Sequence, residues 1–197
     1  MTTIAFVRHG NTDWNIEKRA QGHSHNPLNE TGFKQARAVA ERLAKEEWDL
    51  LLSSDLLRAK QTAEIISSRI GLPILYDERL RERNRGEIEG TIEEERIQIW
   101  GKDWRSLNLW QESYQSLRER GRQFVEDLYQ RYPDKKILVV THGFFLIHML
   151  YELCPNETNE KDALDNTSIT IIRSKNNGWE YLLYNSTSHL KTEEITN

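Results

Sequence analysis

Two histidines of this chain follow apolar runs that are typical of buried strands. His9 comes two positions after the run 4–7, His142 comes two positions after the run 137–140, and each is followed by a glycine. Neighbouring parallel strands lie about 4.8 Å apart, so adjacent strands would bring both imidazoles into one pocket. A single histidine at a strand end is usually structural, but two in matching contexts favour a shared function.

Two arginines accompany these histidines. Arg8 directly precedes His9, and Arg58 lies near the start of a helix predicted after the run 50–52. A guanidinium binds phosphate oxygens through two parallel hydrogen bonds and stays charged at every working pH. On its own, Arg58 would be interpreted as a solvated helix residue. Beside a histidine, the two arginines favour a site for a phosphoryl dianion over a metal site.

Phosphoryl transfer to a histidine also needs an acid for the leaving oxygen and then a base for the attacking water. One carboxylic acid with a raised pKa can do both. The segment 78–90 alternates acidic and basic residues, which is equally typical of a solvated face with local ion pairs. We choose Glu82 as the acid, with Glu89 as the alternative.

Metal and nucleotide chemistry have little support in the sequence. His23 and His25 have a spacing that could chelate a metal, but no cysteine or acidic cluster adjoins them. We therefore interpret them as exposed loop histidines and predict no metal and no other cofactor. A Walker A loop and a dinucleotide fingerprint are also absent, so the phosphate site must be built from side chains.

Composition excludes several classes of partner. The net charge of −4 provides no basic field for nucleic acid. No run approaches the roughly 20 apolar residues that a membrane span needs. The single Cys154 cannot form an internal disulfide, and the apolar stretch near the start is too short for a signal peptide. We expect a cytoplasmic enzyme without a membrane partner.

The predicted elements place the histidines at one edge of a sheet. Six runs are predicted as strands, at 3–7, 50–52, 73–76, 137–141, 167–173 and 179–185. Helical periodicity covers 33–44, 65–70 and 117–132, and Ser53, Ser54 and Asp55 offer capping groups for the middle helix. This alternation predicts an α/β three-layer sandwich, with helices on both faces of a mostly parallel sheet. A hairpin turn at 175–178 would make the last two strands antiparallel.

The domain organisation is simple. A chain of 197 residues suits one domain, which we place at 1–190, with an irregular insert at about 91–112 and a polar tail at 191–197. The insert contains Trp100, Trp104 and Trp110. These tryptophans are interpreted either as an apolar lid that selects the leaving group or as half-buried packing.

The ordered motifs resemble those of the histidine phosphatase superfamily, the phosphoglycerate mutase-like clan. The matching segments are RHGNTDWN at 8–15, QG at 21–22, PL at 27–28, SDLLRAKQTA at 54–63, LRERNRGEIEG at 80–90 and THG at 141–143. The resemblance is strongest to small bacterial broad-specificity and α-ribazole-type phosphatases. Asn11 departs from it, since relatives commonly carry Glu or Gln there, and this affects the substrate more than the reaction.

The resemblance implies a role for each matching residue. His9 is the expected nucleophile and Glu82 the expected proton donor. The expected phosphoryl-binding residues are Arg8, Asn15, Gln21, Gly22, Arg58 and His142.

Three functions remain open at this stage. Hydrolysis of small phosphorylated metabolites, without a metal and through phosphohistidine, is favoured. Phosphoglycerate mutases of the same clan are usually longer, with extra insertions, which disfavours mutase activity. An inactive phosphate-binding scaffold is disfavoured by the intact set of site residues. A monomer and a homodimer are both compatible with the resemblance.

Overall fold

The structure is a computed structural model that describes residues 1–176 and 178–193. Within these residues, six strands form one sheet in the order β3-β2-β4-β1-β5-β6. The strands are β1 (Thr3–Arg8), β2 (Leu50–Ser53), β3 (Ile74–Tyr76), β4 (Lys136–Thr141), β5 (Ile169–Lys175) and β6 (Gly178–Ser186). Asn177, in the predicted hairpin turn, lies outside the described residues.

The directions of the strands agree with the sequence pattern. Strands β3, β2, β4 and β1 are parallel, whereas β5 is antiparallel to both β1 and β6. The prediction of a mostly parallel sheet with an antiparallel final pair is therefore confirmed.

Helices cover both faces of the sheet, as the continuous apolar runs of β1 and β4 require. The helices are α1 (Asp13–Ile16), α2 (Glu30–Leu43), α3 (Leu57–Ile70), α4 (Glu93–Trp100), α5 (Tyr114–Arg131) and α6 (Gly143–Leu153). Ala5 and Val7 face α2 and α3, and Ile4 and Phe6 face α5 and α6. The predicted three-layer sandwich is confirmed.

Several local elements differ from the sequence-based expectations. The apolar run 144–150 forms most of α6, whose helical nature we did not predict. The insert is less irregular than expected, because it contains α4 and a 3-10 helix at Trp104–Ser106. Helix α3 begins without a side-chain cap. A 3-10 helix at Ser188–Glu193 precedes residues 194–197, the part of the predicted tail that lies outside the described residues.

No helix in the described part of the chain has the length and apolar character that crossing a bilayer would require.

Candidate active site

The sheet register places the two strand-end histidines side by side. Arg8 is paired with Thr141 across the parallel β1–β4 ladder. The backbone N–H of His9 donates to the Thr141 carbonyl at 2.9 Å. The ring centroids of His9 and His142 are 5.2 Å apart. Both imidazoles are buried, so the expected histidine pair exists at the carboxyl edge of the central strands.

The tautomer of His9 follows from its hydrogen bonds. Nδ1 lies 2.7 Å from the Gly10 carbonyl oxygen, which can only accept, so Nδ1 carries the proton. Nε2 accepts a hydrogen bond from Nε of Arg58 at 3.3 Å. The lone pair of Nε2 therefore faces the guanidinium that would hold an anion.

Burial keeps the His9 imidazole neutral. Desolvation, together with the charges of Arg58 and Arg8, lowers the pKa of His9 well below its usual value of 6.5. Both effects oppose the charged form of the ring. An unprotonated Nε2 is the form that a nucleophile requires.

We expect His9 to stay unprotonated as the pH falls from 8 through 6.5, the ordinary midpoint of a histidine, because burial and the charges of Arg58 and Arg8 hold its pKa well below that value. Long-range 1H–15N NMR should show Nε2 unprotonated and Nδ1 protonated throughout this range. A titration with a midpoint near 6.5 would contradict this assignment.

Arg58 is fully buried beside His9. Its terminal nitrogens donate to the carbonyl of Gly22 at 2.8 Å and to that of Ser24 at 3.1 Å. Burial lowers the pKa of Arg58 to about 10, against the favourable charges of Glu82 and Glu89. The guanidinium thus remains charged near neutral pH, in a position fixed by two backbone carbonyls.

Arg8 provides a second cation on the cavity wall, next to His9. One terminal nitrogen donates to the carbonyl of Leu164, while Nε is buried without a partner among the described residues. A Cβ on Gly143 would lie 3.0 Å from this Nε, so the glycine allows the guanidinium to pack against the start of α6. An unpartnered buried donor is a group that an anionic ligand could satisfy.

His142 lies behind the surface of the cavity rather than on it. Its Nε2 is 2.8 Å from Oγ of Ser54, and its Nδ1 is buried without a partner in the described chain. Ser54 Oγ also accepts from the N–H of Leu56 at 3.3 Å. If the hydroxyl donates to Nε2, His142 carries its proton on Nδ1 and has one N–H available for a ligand. Burial and the charge of Arg58 lower the pKa of His142 well below 6.5.

Replacing Ser54 by alanine is expected to lower kcat/KM about tenfold, because the hydrogen bond that orients His142 is lost. Ser53→Ala is the matched control, since Ser53 is equally buried but donates to the Ser54 carbonyl instead. The inhibition constant of vanadate should rise in Ser54→Ala and stay unchanged in Ser53→Ala. Equal changes in both variants would show that Ser54 acts only through packing.

Glu82 lies at the N-terminus of α6. Its two carboxylate oxygens accept from the backbone N–H groups of Phe144 at 3.1 Å and Phe145 at 2.8 Å. Its Oε1 also accepts from the N–H of Arg83 at 2.8 Å. The side chain is 9% exposed and lines the same cavity as His9.

The alternative acid, Glu89, has a different position. Its carboxylate accepts from the backbone N–H of His23 at 2.9 Å and from the hydroxyl of Ser24. A Cβ on Gly22, which has φ +48°, would lie 2.1 Å from a Glu89 oxygen. Glu89 therefore holds the loop whose carbonyls bind Arg58, and it does not line the cavity.

The expectation of an exposed loop histidine is wrong for His23. It is half-buried, and its Nε2 lies 2.9 Å from the carbonyl oxygen of Glu82. His25 is exposed, as expected. In the described residues, no three side chains of His, Cys, Asp or Glu are grouped in a way that could hold a metal.

The remaining residues proposed for phosphoryl binding line the cavity. Asn15, Gln21 and Gly22 all lie on its wall. Asn15 Oδ1 accepts from the Thr12 backbone at 3.1 Å and hydroxyl at 3.0 Å. Gln21 Oε1 is buried and has no partner among the described residues.

The insert forms one wall of this cavity, which has a volume of about 660 Å³. Trp104 lines the cavity and packs on Ile88 and Leu109. Trp110 is 73% exposed, and neither it nor Trp100 lines the cavity. Of the three tryptophans, only Trp104 is placed where it could contact a leaving group in the cavity.

Sequence reasoning missed several residues that position the site. Asn166 donates to the carbonyl of His9 at 3.0 Å, and Thr62 accepts from the N–H of Gly10 at 3.1 Å. The sequence indicates only a possible helix cap for Ser54. Only the position of Ser54 at the end of a strand, beside two other polar residues, could have drawn attention to it.

Comparison with known proteins decides the family. The family model of the histidine phosphatase superfamily (branch 1) matches residues 4–187. The chain belongs to the histidine phosphatase superfamily. The resemblance seen in the motifs is thereby confirmed.

Relatives within the superfamily include named phosphatases. The uncharacterized phosphatase PhoE of Bacillus subtilis is 36% identical, with 96% of this chain and 97% of PhoE covered. A metal-independent phosphoserine phosphatase of Arabidopsis thaliana is 32% identical, with coverages of 98% and 84%. Proteins named phosphoglycerate mutase-like or probable phosphoglycerate mutase are also similar.

A solved histidine phosphatase has the same fold. The structure of mycobacterial glucosyl-3-phosphoglycerate phosphatase in complex with VO3 superposes with a TM-score of 0.83 at 29% identity. The superposition covers 94% of this chain and 99% of the mycobacterial chain.

Proposed function

We propose that this protein is a phosphatase that hydrolyses phosphomonoesters of small metabolites through a phosphohistidine on His9. The decisive observation is a neutral His9 whose unprotonated Nε2 faces the buried guanidinium of Arg58 at 3.3 Å. A nucleophile with its lone pair directed at a cationic anion site is the arrangement that phosphoryl transfer requires.

The first step forms the Nε2–P bond of His9 and breaks the bond from phosphorus to the ester oxygen. Arg8 and Arg58 on the cavity wall, and the N–H of His142 from just beneath it, offset the charge on the equatorial oxygens, and Asn15, Gln21 and Gly22 complete the pocket. Preorganised donors of this kind are each commonly worth about 3 kcal/mol. The proton that the departing alkoxide needs comes from Glu82 in its protonated form, and loss of this proton leaves the carboxylate that accepts from the start of α6.

In the second step, water attacks phosphorus and the N–P bond breaks. Glu82, now a carboxylate, takes the proton from this water and returns to its starting state. The sum is an ester and water converted to an alcohol and phosphate. No step needs a metal or another cofactor, and the proposal includes metal independence.

Mutase activity is the second candidate, and the names of some relatives favour it. A mutase differs from a phosphatase only in the acceptor of the phosphoryl group.

The free, buried thiol of Cys154 fits a reducing compartment, so a cytoplasmic location is part of the proposal.

The test measures inorganic phosphate released from p-nitrophenyl phosphate and from a set of phosphorylated metabolites, with EDTA present. Release that is unaffected by EDTA is expected. Loss of activity in EDTA, restored by a divalent cation, would contradict metal independence. Exchange of phosphoryl groups between phosphoglycerates without release of phosphate would favour the mutase.

A further inference from the structure

Some arginines on the cavity wall form ion pairs with carboxylates of the fold, and others do not. Arg19 has ion pairs with Glu17 and Glu95, each at 2.9 Å. Arg105 pairs with Glu93 at 2.9 Å. These arginines have their charges offset by the fold itself.

Arg83 and Arg85 differ from these paired arginines. Among the described residues, neither has a carboxylate within ion-pair distance. Nε of Arg83 donates to the backbone carbonyl of Glu112 at 2.7 Å, whereas the Glu112 carboxylate is held by Arg120 at 2.7 Å. Arg83 is only 8% exposed. A buried cation without a counter-charge is unfavourable unless a ligand supplies that charge.

Aromatic rings fix both guanidinium groups on the wall. Arg83 lies 4.4 Å above the ring of Tyr114, and Arg85 lies 4.3 Å above the ring of Phe144. The ring of Phe144 lies between the two groups, 5.5 Å from the guanidinium of Arg83 and 4.3 Å from that of Arg85, so the two cations are close together. Aromatic faces stabilise a cation without neutralising it, so both charges remain available.

The position of this pair relative to Glu82 identifies which part of a substrate it meets. Arg83 directly follows Glu82, and Phe144 donates its backbone N–H to the Glu82 carboxylate. Because Glu82 protonates the leaving oxygen in the proposed function, the group attached to that oxygen lies beside Arg83 and Arg85.

We propose that Arg83 and Arg85 form a second anion subsite, and that the leaving group of the substrate carries a carboxylate or a second phosphate. This inference rests on the proposed function, since it uses the role of Glu82. It narrows the substrates from phosphomonoesters in general to those with an anionic leaving group.

Matched esters test the subsite. 3-Phosphoglycerate differs from glycerol 3-phosphate by a carboxylate in place of a hydroxymethyl group, and fructose 1,6-bisphosphate adds a phosphate to fructose 6-phosphate. The wild-type protein should prefer the more anionic member of at least one pair by about tenfold in kcat/KM, as a charge-assisted hydrogen bond provides. Which pair shows the preference distinguishes a carboxylate from a phosphate.

Variants assign the preference to the two arginines. In the double variant Arg83→Gln/Arg85→Gln, the ratio of kcat/KM between the two esters of the preferred pair should fall to about one. The charges that bind the second anion are then gone. Arg85→Gln alone should also lower this ratio, and because this half-exposed residue donates no hydrogen bond in the described structure, the variant should keep the wild-type melting temperature. Arg105→Gln is the matched control, an arginine on the same wall that has its own carboxylate, and it should keep the wild-type ratio.

A wild-type ratio near one for both pairs, or a ratio that survives in the double variant, would overturn the subsite. Absence of phosphate release from every ester would instead reject the proposed function. In that case, calorimetric binding of 3-phosphoglycerate and glycerol 3-phosphate to the wild-type and double-variant proteins tests the subsite separately.

Discussion

Replacing His9 by alanine is expected to lower kcat/KM for every phosphomonoester by at least about 10⁴-fold, as removal of a covalent nucleophile does in other enzymes. The alanine leaves the cations of Arg8 and Arg58 in place, but no atom can form the intermediate. The measurement is phosphate release by the purified variant, with the wild-type protein beside it under the same conditions.

A labelling experiment distinguishes loss of the nucleophile from loss of the fold. Ester with a radioactive phosphoryl group, quenched in alkali, should leave label on the wild-type protein and none on His9→Ala, because phosphohistidine survives alkali. The melting temperature of the variant shows whether the domain remains folded. Label at a residue other than His9, or activity in a folded variant within about a hundredfold of wild type, would reject covalent catalysis on His9.

Replacing Glu82 by glutamine is expected to lower kcat for alkyl phosphates by about 10²–10³-fold, the usual contribution of a general acid. An alkoxide needs a proton in order to leave, whereas p-nitrophenolate does not. With p-nitrophenyl phosphate the first turnover should therefore stay fast. Later turnovers should be slow, because the second step has lost its base, and rapid-mixing absorbance should show a burst of nitrophenolate equal to the enzyme concentration.

Glu89→Gln provides the comparison for this variant. Glu89 holds the backbone of the loop at His23 and Ser24 but does not line the cavity. Its loss should affect alkyl and nitrophenyl esters to the same degree, without a burst. A burst in Glu89→Gln and none in Glu82→Gln would exchange the roles of the two carboxylates.

The fold was predictable because its signals are local. The continuous apolar runs of β1 and β4 are typical of strands covered on both faces, and helical periodicity identified α2, α3 and α5. Helix α6 was missed since it is buried on most sides, so its residues show no clear polar face. The sequence therefore did not indicate that the start of α6 binds Glu82 through two backbone N–H groups.

Residues of the candidate site could be predicted where the side chain itself carries the functional group that the chemistry needs. His9, Arg58 and Glu82 could be selected because nucleophile, anion binder and proton donor each need a particular functional group. Ser54 and Asn166 could not, since small polar side chains are common in loops and their function comes from a partner distant in sequence. The unpaired state of Arg83 likewise depends on where Glu112 directs its carboxylate.

The insert is attached to the domain less firmly than the histidines are. His9 and His142 follow the two central strands of the sheet, whereas the fully buried apolar residues of the insert belong to the small cluster of Ile88, Trp104 and Leu109. Few buried apolar contacts correspond to a low free energy of local opening, while central strands open only with the whole domain. Hydrogen exchange should accordingly separate the two regions by orders of magnitude. Substitutions in the insert should therefore alter the wall of the cavity while the residues proposed for phosphoryl transfer keep their geometry, so that substrate choice and phosphoryl transfer can evolve independently.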